Sequence, residues 1–104
     1  MFEKTPVMST YLLAFVVSDF EFVSNVATKK DNETLHRIYV RPDAIEHTKY
    51  ALDNSEKFLK ALENYVSFDY ELAKVDSAAI PQKGGAMENW GNCYKLSSFT
   101  LLTQ

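Results

Sequence analysis

The chain has 104 residues, of which 46% are apolar and 13% aromatic, and it contains only three glycines and three prolines. This composition is sufficient for the core of one domain and excludes a disordered chain. The 11 basic and 14 acidic residues give a net charge of −3 without a block of like charge, which argues against a nucleic-acid-binding surface.

The first third of the chain predicts a group of β-strands. Residues 10–17, TYLLAFVV, form a short β-branched and aromatic run that is typical of a buried strand. Residues 20–26, FEFVSNV, alternate apolar and polar side chains as a half-exposed strand does. After a polar stretch, residues 37–41, RIYVR, resume strand character and end at Pro42. A meander or a hairpin is the simplest arrangement.

From Asp43 onward the apolar spacing changes to that of a helix. The apolar positions that share one helical face are Ile45, Leu52, Phe58, Leu59, Leu62 and Val66. Asp43 is the predicted N-cap after the proline. The pattern allows one helix or two, with a break at residues 53–55, in which case Ser55 would cap the second helix.

The last third predicts a strand, a loop and one further strand. Residues 74–81, KVDSAAIP, form the strand, which the proline ends, and residues 82–85 form the loop. The stretch ENWGNCY, residues 88–94, would begin the further strand. The tail, residues 96–104, has no clear periodicity.

Glu88 is the candidate functional side chain, because it follows the pair Gly84-Gly85. Glycine tolerates positive φ and lets another backbone approach closely. A carboxylate held beside it can bind a cation through a charge-assisted hydrogen bond. The alternative is a hairpin turn carrying a solvated glutamate, and local chemistry alone favours that alternative because Gly-Gly turns are common.

The other residues with chemical potential predict no site. His36 and His47 do not have the spacing of metal ligands, and both are predicted to lie on the surface. Cys93 is the only cysteine, so no internal disulfide or CxxC site can form, and we expect a buried, inert thiol. Composition and spacing therefore support a soluble chain of mixed α and β structure.

Residues 85–91, GAMENWG, resemble the GAMEN motif of the zinc aminopeptidases of the aminopeptidase N type. Residues 5–20 are similar to the final strand of that family's N-terminal sheet domain, and residues 37–45, RIYVRPDAI, to the start of its catalytic domain. Residues 69–76, DYELAKVD, resemble its YPLPKLD stretch. The segments agree in order and spacing, and the resemblance extends over residues 2–91.

The resemblance implies an α+β fold and an incomplete enzyme. Residues 1–20 would end an N-terminal β-sheet domain, and residues 21–104 would begin a thermolysin-like catalytic domain. The implied reaction is the removal of single residues from the N-termini of peptides by a zinc-activated water.

The resemblance also implies a substrate-binding strand. Gly85 and Ala86 would offer backbone groups to an extended peptide, as in strand addition. Met87 would shape the pocket for the first side chain, and Glu88 would bind the free α-ammonium group of the peptide. Asn89 belongs to the same substrate-binding set.

Three departures from the family pattern limit what the resemblance implies. Glu71 and Ala73 replace the two prolines of YPLPK, which predicts a less rigid loop. Residues 92–96, NCYKL, differ from the family's LITYRE pattern. No HExxH sequence occurs, so zinc belongs to the full-length family enzyme and its ligands are absent from this chain. We therefore expect no catalytic residue here and no activity of the chain alone.

Two other hypotheses remain open. The chain is either a non-catalytic truncated relative, which binds peptide N-termini or a partner enzyme, or a fragment with no independent role. The implied partners are a peptide with a free N-terminus, the missing parts of the enzyme or a homologue, and no nucleic acid. The resemblance at residues 10–20 favours a plasma-membrane ectoenzyme as the parent, with a cytoplasmic enzyme as the alternative. A chain cut across a domain boundary should also expose apolar faces.

Overall fold

The computed structural model describes residues 6–26, 33–82 and 84–96. Within these ranges the chain is a mixed α and β structure, which confirms the predicted class, whereas the junction between two domains at residue 20 stays a prediction. The strands are β1 (Glu21–Ser24), β2 (Leu35–Val40), β3 (Lys74–Ile80), β4 (Met87–Asn89) and β5 (Asn92–Leu96). The helices are α1 (Lys49–Val66) and two 3-10 helices, Thr10–Leu12 and Pro42–Thr48.

The described strands form one five-stranded sheet in the order β1-β2-β3-β5-β4. Strand β1 is antiparallel to β2, β3 is parallel to β2, β5 is parallel to β3, and β4 is antiparallel to β5. Helix α1 connects the parallel strands β2 and β3, as parallel pairing requires a crossover. This topology places β4 at one margin of the sheet.

The predicted strands at residues 20–26, 37–41 and 74–81 are confirmed as β1, β2 and β3. Strands β1 and β2 form the expected antiparallel pair, with Glu21 opposite Val40 and Ser24 opposite Arg37. Strand β3 ends at Ile80, one residue before the proline.

The predicted strand at residues 10–17 is wrong. The first three of these residues form the 3-10 helix Thr10–Leu12, and residues 13–17 have no regular structure. Tyr11, Phe15 and Val17 are 69%, 82% and 100% exposed. A β-branched run becomes a strand only where a neighbouring strand accepts its hydrogen bonds, and no described strand lies beside this one. The run is apolar and largely exposed.

Of the one or two helices that the pattern allows, the structure has one α-helix, because α1 runs through residues 53–55 without interruption. The Ser55 hydroxyl donates a 2.8 Å hydrogen bond to the Leu52 carbonyl one turn earlier instead of capping a new helix. The prediction of Asp43 as an N-cap is wrong. Asp43 lies in the first turn of the 3-10 helix Pro42–Thr48, and the N-cap of that 3-10 helix is Arg41.

The hydrophobic core lies between one face of the sheet and the start of the helical region. Its buried members are Ile38, Val40 and Ala79, and the half-buried side chains packed on them are Val23, Ala44, Ile45, Ala51 and Leu52. The second half of the predicted apolar helix face is not covered, since Phe58, Leu62 and Val66 are all more than half exposed. No helix within the described residues combines the length and the apolar character needed to cross a membrane.

His36 is buried, which makes the predicted surface position wrong. It shares the inward face of β2 with Ile38 and Val40 and is only 3% exposed. Its backbone N–H donates a 2.8 Å hydrogen bond to Asn25 Oδ1, and its buried Nε2 has no hydrogen-bond partner among the described residues. His47 is exposed, as predicted. The prediction for the Cys93 thiol concerns a side chain that lies outside the described part of the structure.

Candidate functional site

The predicted site residues lie on and just before β4, which is an edge strand of the described sheet. One side of β4 pairs with β5, with Met87 opposite Tyr94 and Asn89 opposite Asn92. No described strand pairs with its other side. An edge of this kind presents unpaired backbone N–H and C=O groups, which is the geometry that an added strand requires.

The glycine pair is not the turn of the hairpin. Gly84 and Gly85 lie in the connection between β3 and β4, which are not neighbours in the sheet. Gly85 has φ +76°, and a Cβ on either glycine would meet no atom within 4 Å. The hairpin turn is instead Trp90-Gly91, and the single strand predicted for residues 88–94 is therefore two strands, β4 and β5. Gly91 has φ +78°, a conformation that a two-residue hairpin turn favours.

The three residues of β4 differ in exposure. Met87 is half-buried, Glu88 is exposed, and Asn89 is 7% exposed. This alternation follows the two-residue period of a strand, so Glu88 projects from the face opposite to Met87 and Asn89. No described residue forms a hydrogen bond or an ion pair with the Glu88 carboxylate. The carboxylate is therefore available to a ligand from solvent.

Asn89 connects β4 to the N-terminal segment. Its Nδ2 group donates hydrogen bonds to the backbone carbonyls of Tyr11 (3.4 Å) and Leu12 (3.2 Å). Its Oδ1 atom is buried and has no hydrogen-bond partner among the described residues. The residue that follows Glu88 is thus held against a segment 77 positions earlier in the chain.

The turn that follows β4 is fixed by the start of β3. The Gly91 carbonyl accepts hydrogen bonds from the backbone N–H of Asp76 (3.0 Å) and from Lys74 Nζ (3.3 Å). A Cβ at Gly91 would lie 3.1 Å from Leu72 Cδ1. The far end of the edge strand is therefore tightly packed, in contrast to Gly85 at its near end.

A charged cluster holds β2 to β3 behind the turn. Arg37 Nε and Nη2 donate to the two carboxylate oxygens of Asp76 at 2.6 and 2.7 Å, and Lys74 also pairs with Asp76. The Asp76 side chain is 12% exposed. The hydrogen bond to Asp76 raises the pKa of Arg37. Sequence reasoning missed this cluster, because the pairing depends on the register between two strands that are distant in sequence.

A concave surface lies between the end of α1 and the loop before β3. The cavity has a volume of about 420 Å³, and most of its surface is apolar. Its lining includes Leu59, Leu62, Val66, Phe68 and Trp90, together with Glu63, Asp69, Tyr70 and Glu71. Glu63 Oε1 accepts the Tyr70 N–H at 2.8 Å and fixes the loop. Glu88 does not line this cavity, so the cavity and the candidate site are separate.

The described residues do not fit a zinc ion. Among them no group of three or more His, Cys, Asp or Glu side chains is arranged to hold a metal. The full sequence contains no HExxH pair. Zinc in proteins is held by three or four such ligands, so the described residues do not form a zinc site.

Residues 50–104 match the peptidase family M1 domain. The chain belongs to peptidase family M1. It is 48% identical over 91 residues to endoplasmic reticulum aminopeptidase 1 of Homo sapiens, a match that covers 86% of this chain and 9% of that protein. It is 46% identical over 93 residues to aminopeptidase N of Bos taurus (86% and 9%) and 40% identical over 91 residues to aminopeptidase N of Plutella xylostella (86% and 10%).

These matches confirm the resemblance to aminopeptidases of the aminopeptidase N type. The M1 chain spans about a tenth of the length of the relatives it matches. Because its relatives are aminopeptidases, the chain is a member of a family of hydrolases. M1 aminopeptidases are generally zinc enzymes. The roles predicted for residues 85–89 stay predictions.

Proposed function

We propose that this M1 chain is part of a zinc-dependent aminopeptidase and supplies the strand that binds the N-terminus of the peptide substrate. The observation that supports this most directly is the position of Glu88. Its carboxylate is exposed and has no partner among the described residues. It lies on the edge strand β4, whose outer side pairs with no described strand.

The proposed binding mode follows from the two parts of that observation. An extended peptide adds to the outer side of β4 through main-chain hydrogen bonds, which do not depend on its side chains. Gly85, with its positive φ and open surroundings, lets the peptide backbone approach. Gly85 and Ala86 offer backbone groups to it, and Met87 helps to shape the pocket for the first side chain. The α-ammonium group of the peptide then pairs with Glu88 through a charge-assisted hydrogen bond.

This pairing explains selectivity for a free N-terminus. An N-acetylated peptide has no charge at that position and leaves the carboxylate without its partner. An exposed ion pair contributes only about 0–1 kcal/mol, whereas loss of one partner of a desolvated pair costs about 2–5 kcal/mol. The difference in affinity should therefore be small in this chain and larger in a closed cleft of the complete enzyme.

The hydrolytic step is assigned elsewhere. The activation of the attacking water is the chemistry that zinc would supply in the full-length family enzyme. This chain provides no zinc ligand set among its described residues and no HExxH sequence. We expect the 104-residue chain, supplied with zinc, to release no N-terminal residue from peptides. Zinc-dependent release by the pure chain at a rate above that of buffer would contradict this assignment.

The binding role is tested by amide NMR spectra of the chain with an unblocked tripeptide and with its N-acetylated form. We expect millimolar concentrations, about 1–10 mM, of the unblocked peptide to shift the resonances of residues 85–89, because the single exposed pair is weak. The acetylated peptide should shift them much less, and Glu88→Gln should abolish the difference. Glu71→Gln, which removes another exposed carboxylate, is the matched control and should retain it.

Equal shifts from the two peptides in the unaltered chain would overturn the binding role. A difference that survives in Glu88→Gln would show that another carboxylate binds the amine. Loss of the difference in Glu71→Gln as well would assign it to the overall negative charge of the surface.

A second candidate function is association with a homologous full-length enzyme, without catalysis. The exposed apolar residues favour it, because Phe15, Val17 and Phe58 lie uncovered on the described surface. Co-elution of the chain with a full-length M1 aminopeptidase in size-exclusion chromatography would support this function. Separate elution at micromolar concentrations of both would remove it.

A further inference from the structure

The side chain of Asn89 faces the protein. Asn89 is 7% exposed, and both of its Nδ2 hydrogen bonds go to consecutive backbone carbonyls, those of Tyr11 and Leu12. These carbonyls belong to the 3-10 helix Thr10–Leu12. Only a donor can satisfy two carbonyl oxygens, and an asparagine amide has two N–H groups for this purpose.

Strand β4 has few other attachments within the described residues. It is three residues long, it pairs on one side only, and the open, positive-φ residue Gly85 precedes it. A short edge strand of this kind is a region of low local stability. The hydrogen bonds of Gly91 fix the following turn to β3, and the Asn89 hydrogen bonds attach the last residue of β4 itself to the N-terminal segment.

The carboxylate at the neighbouring position depends on that attachment. Side chains of consecutive strand residues project to opposite faces, so the orientation of Asn89 sets the orientation of Glu88. A rotation of the strand that released Asn89 would also change the direction of the Glu88 carboxylate. The Asn89 side chain therefore links the position of the 3-10 helix Thr10–Leu12 to the direction of the Glu88 carboxylate.

We propose that Asn89 is a positioning residue, which locks the edge strand to the 3-10 helix at Thr10–Leu12 and thereby fixes the direction in which Glu88 meets the peptide amine. The part of this proposal that concerns Glu88 rests on the proposed function. The attachment of Asn89 to the Tyr11 and Leu12 carbonyls, here called the lock, does not rest on the proposed function, and it can be measured without any peptide. Asn89 then acts on the substrate through Glu88.

The test is hydrogen exchange of the complete 104-residue chain carrying Asn89→Asp. At about pH 7.5 a carboxylate replaces the donor and faces two carbonyl oxygens, so the lock is lost and repulsion replaces it. We expect exchange at residues 11–13 and 87–90 to rise roughly tenfold, which is the loss of about one net hydrogen bond, while Ile38 and Val40 in β2 keep their rates. At about pH 5 protonation of the new carboxyl, which burial against carbonyls favours, restores one donor and part of the protection relative to the unaltered chain at the same pH.

Tyr11→Ala is the matched control, because it removes an exposed side chain and leaves the accepting carbonyl in place. It should leave the exchange of residues 87–90 unchanged. Asn89→Asp rates equal to those of the unaltered chain in both segments would overturn the lock. Equal acceleration in β2 would also overturn it, since Asn89 would then support the whole sheet and not the strand.

Peptide binding separates this inference from the proposed function. If the lock is present but neither peptide binds the unaltered chain, the amine-binding role fails and the lock stands. If the unaltered chain prefers the unblocked peptide, Asn89→Asp should lose that preference at about pH 7.5 and regain part of it at about pH 5, each compared with the unaltered chain at the same pH. A preference that is unaffected at both pH values would show that Asn89 does not position Glu88.

Discussion

Alanine substitutions at Gly85 and Gly91 separate backbone strain from crowding. The two glycines have nearly the same φ, +76° and +78°. They differ in surroundings: a Cβ at position 85 meets no atom within 4 Å, whereas a Cβ at position 91 lies 3.1 Å from Leu72 Cδ1. Both substitutions therefore incur the same left-handed penalty, and only Gly91→Ala adds a steric conflict.

The magnitudes follow from these contacts. A left-handed conformation costs a non-glycine residue about 1–2 kcal/mol, and the stiffer unfolded chain returns about 0.4–1 kcal/mol. The free energy of unfolding should therefore fall by about 0–1.5 kcal/mol in Gly85→Ala. Displacing Leu72 from its rotamer costs roughly a further 0.5–1.5 kcal/mol, so Gly91→Ala should be the more destabilised by that amount.

The assay is urea unfolding followed by far-ultraviolet circular dichroism, with each variant repeated in a Leu72→Ala background. Removing the Leu72 side chain should make the two glycine substitutions equal, because the crowding partner is gone. A Gly85→Ala loss as large as that of Gly91→Ala in the unaltered background would refute the reasoning. A difference that persists after Leu72→Ala would show that Leu72 is not the source of the conflict, since the next atom, the Lys74 carbonyl oxygen, lies at an ordinary contact distance of 4.0 Å.

Two further predictions concern charges. Asp76→Asn removes the bidentate partner of Arg37, on a side chain that is 12% exposed, and should lower the free energy of unfolding in urea by about 2–3 kcal/mol. Asp53→Asn, which breaks the exposed pair with Lys49, should lower it by only about 0–0.5 kcal/mol. Equal losses would show that the Arg37–Asp76 pair stabilises the fold no more than an exposed pair does. Burial lowers the pKa of His36, against the opposing effect of Glu56 and Glu63, so the unfolded chain binds the proton first and stability is lost as the pH falls below about 6.5. His36→Gln should reduce this loss in unfolding measured from about pH 7.5 to pH 5, and His47→Gln, at an exposed position, should not.

The sequence predicted those elements whose pattern is local. Strands β2 and β3 were predicted from runs that end at a proline, and the apolar repeat after Asp43 predicted the helical region. The sequence left a break at residues 53–55 open, and α1 has none, because polar side chains inside a helix can form hydrogen bonds to carbonyls of the preceding turn. Asn54 Nδ2 donates to the Tyr50 carbonyl at 2.8 Å, and Ser55 donates to Leu52.

Two other failures concern information that a single run does not contain. Residues 10–17 have strand propensity, but a strand also needs a neighbour, and pairing is a tertiary property. The surface prediction for His36 rests on its lack of metal-ligand spacing, whereas the alternation of LHRIYV places it on the same face as Ile38 and Val40. The two-residue period was the signal that would have found the buried position.

The candidate site shows the same division. The motif at residues 85–91 is recognisable from the sequence, and the chain's membership of peptidase family M1 agrees with it. The position of β4 at the sheet margin depends on the order of all five described strands, and the contact of Asn89 with Leu12 joins residues 77 positions apart. Neither follows from local pattern.

Zero-length carbodiimide cross-linking tests the central claim most directly, because it joins a carboxylate to an amine only where the two are in contact. The chain would be treated with an unblocked, lysine-free peptide, and the modified carboxylates identified by mass spectrometry. We predict preferential attachment of the peptide α-amine at Glu88 over the other exposed carboxylates, Asp43, Glu71 and Glu46 among them. Attachment spread over these carboxylates without preference for Glu88 would contradict the proposal that this edge strand recognises the peptide N-terminus.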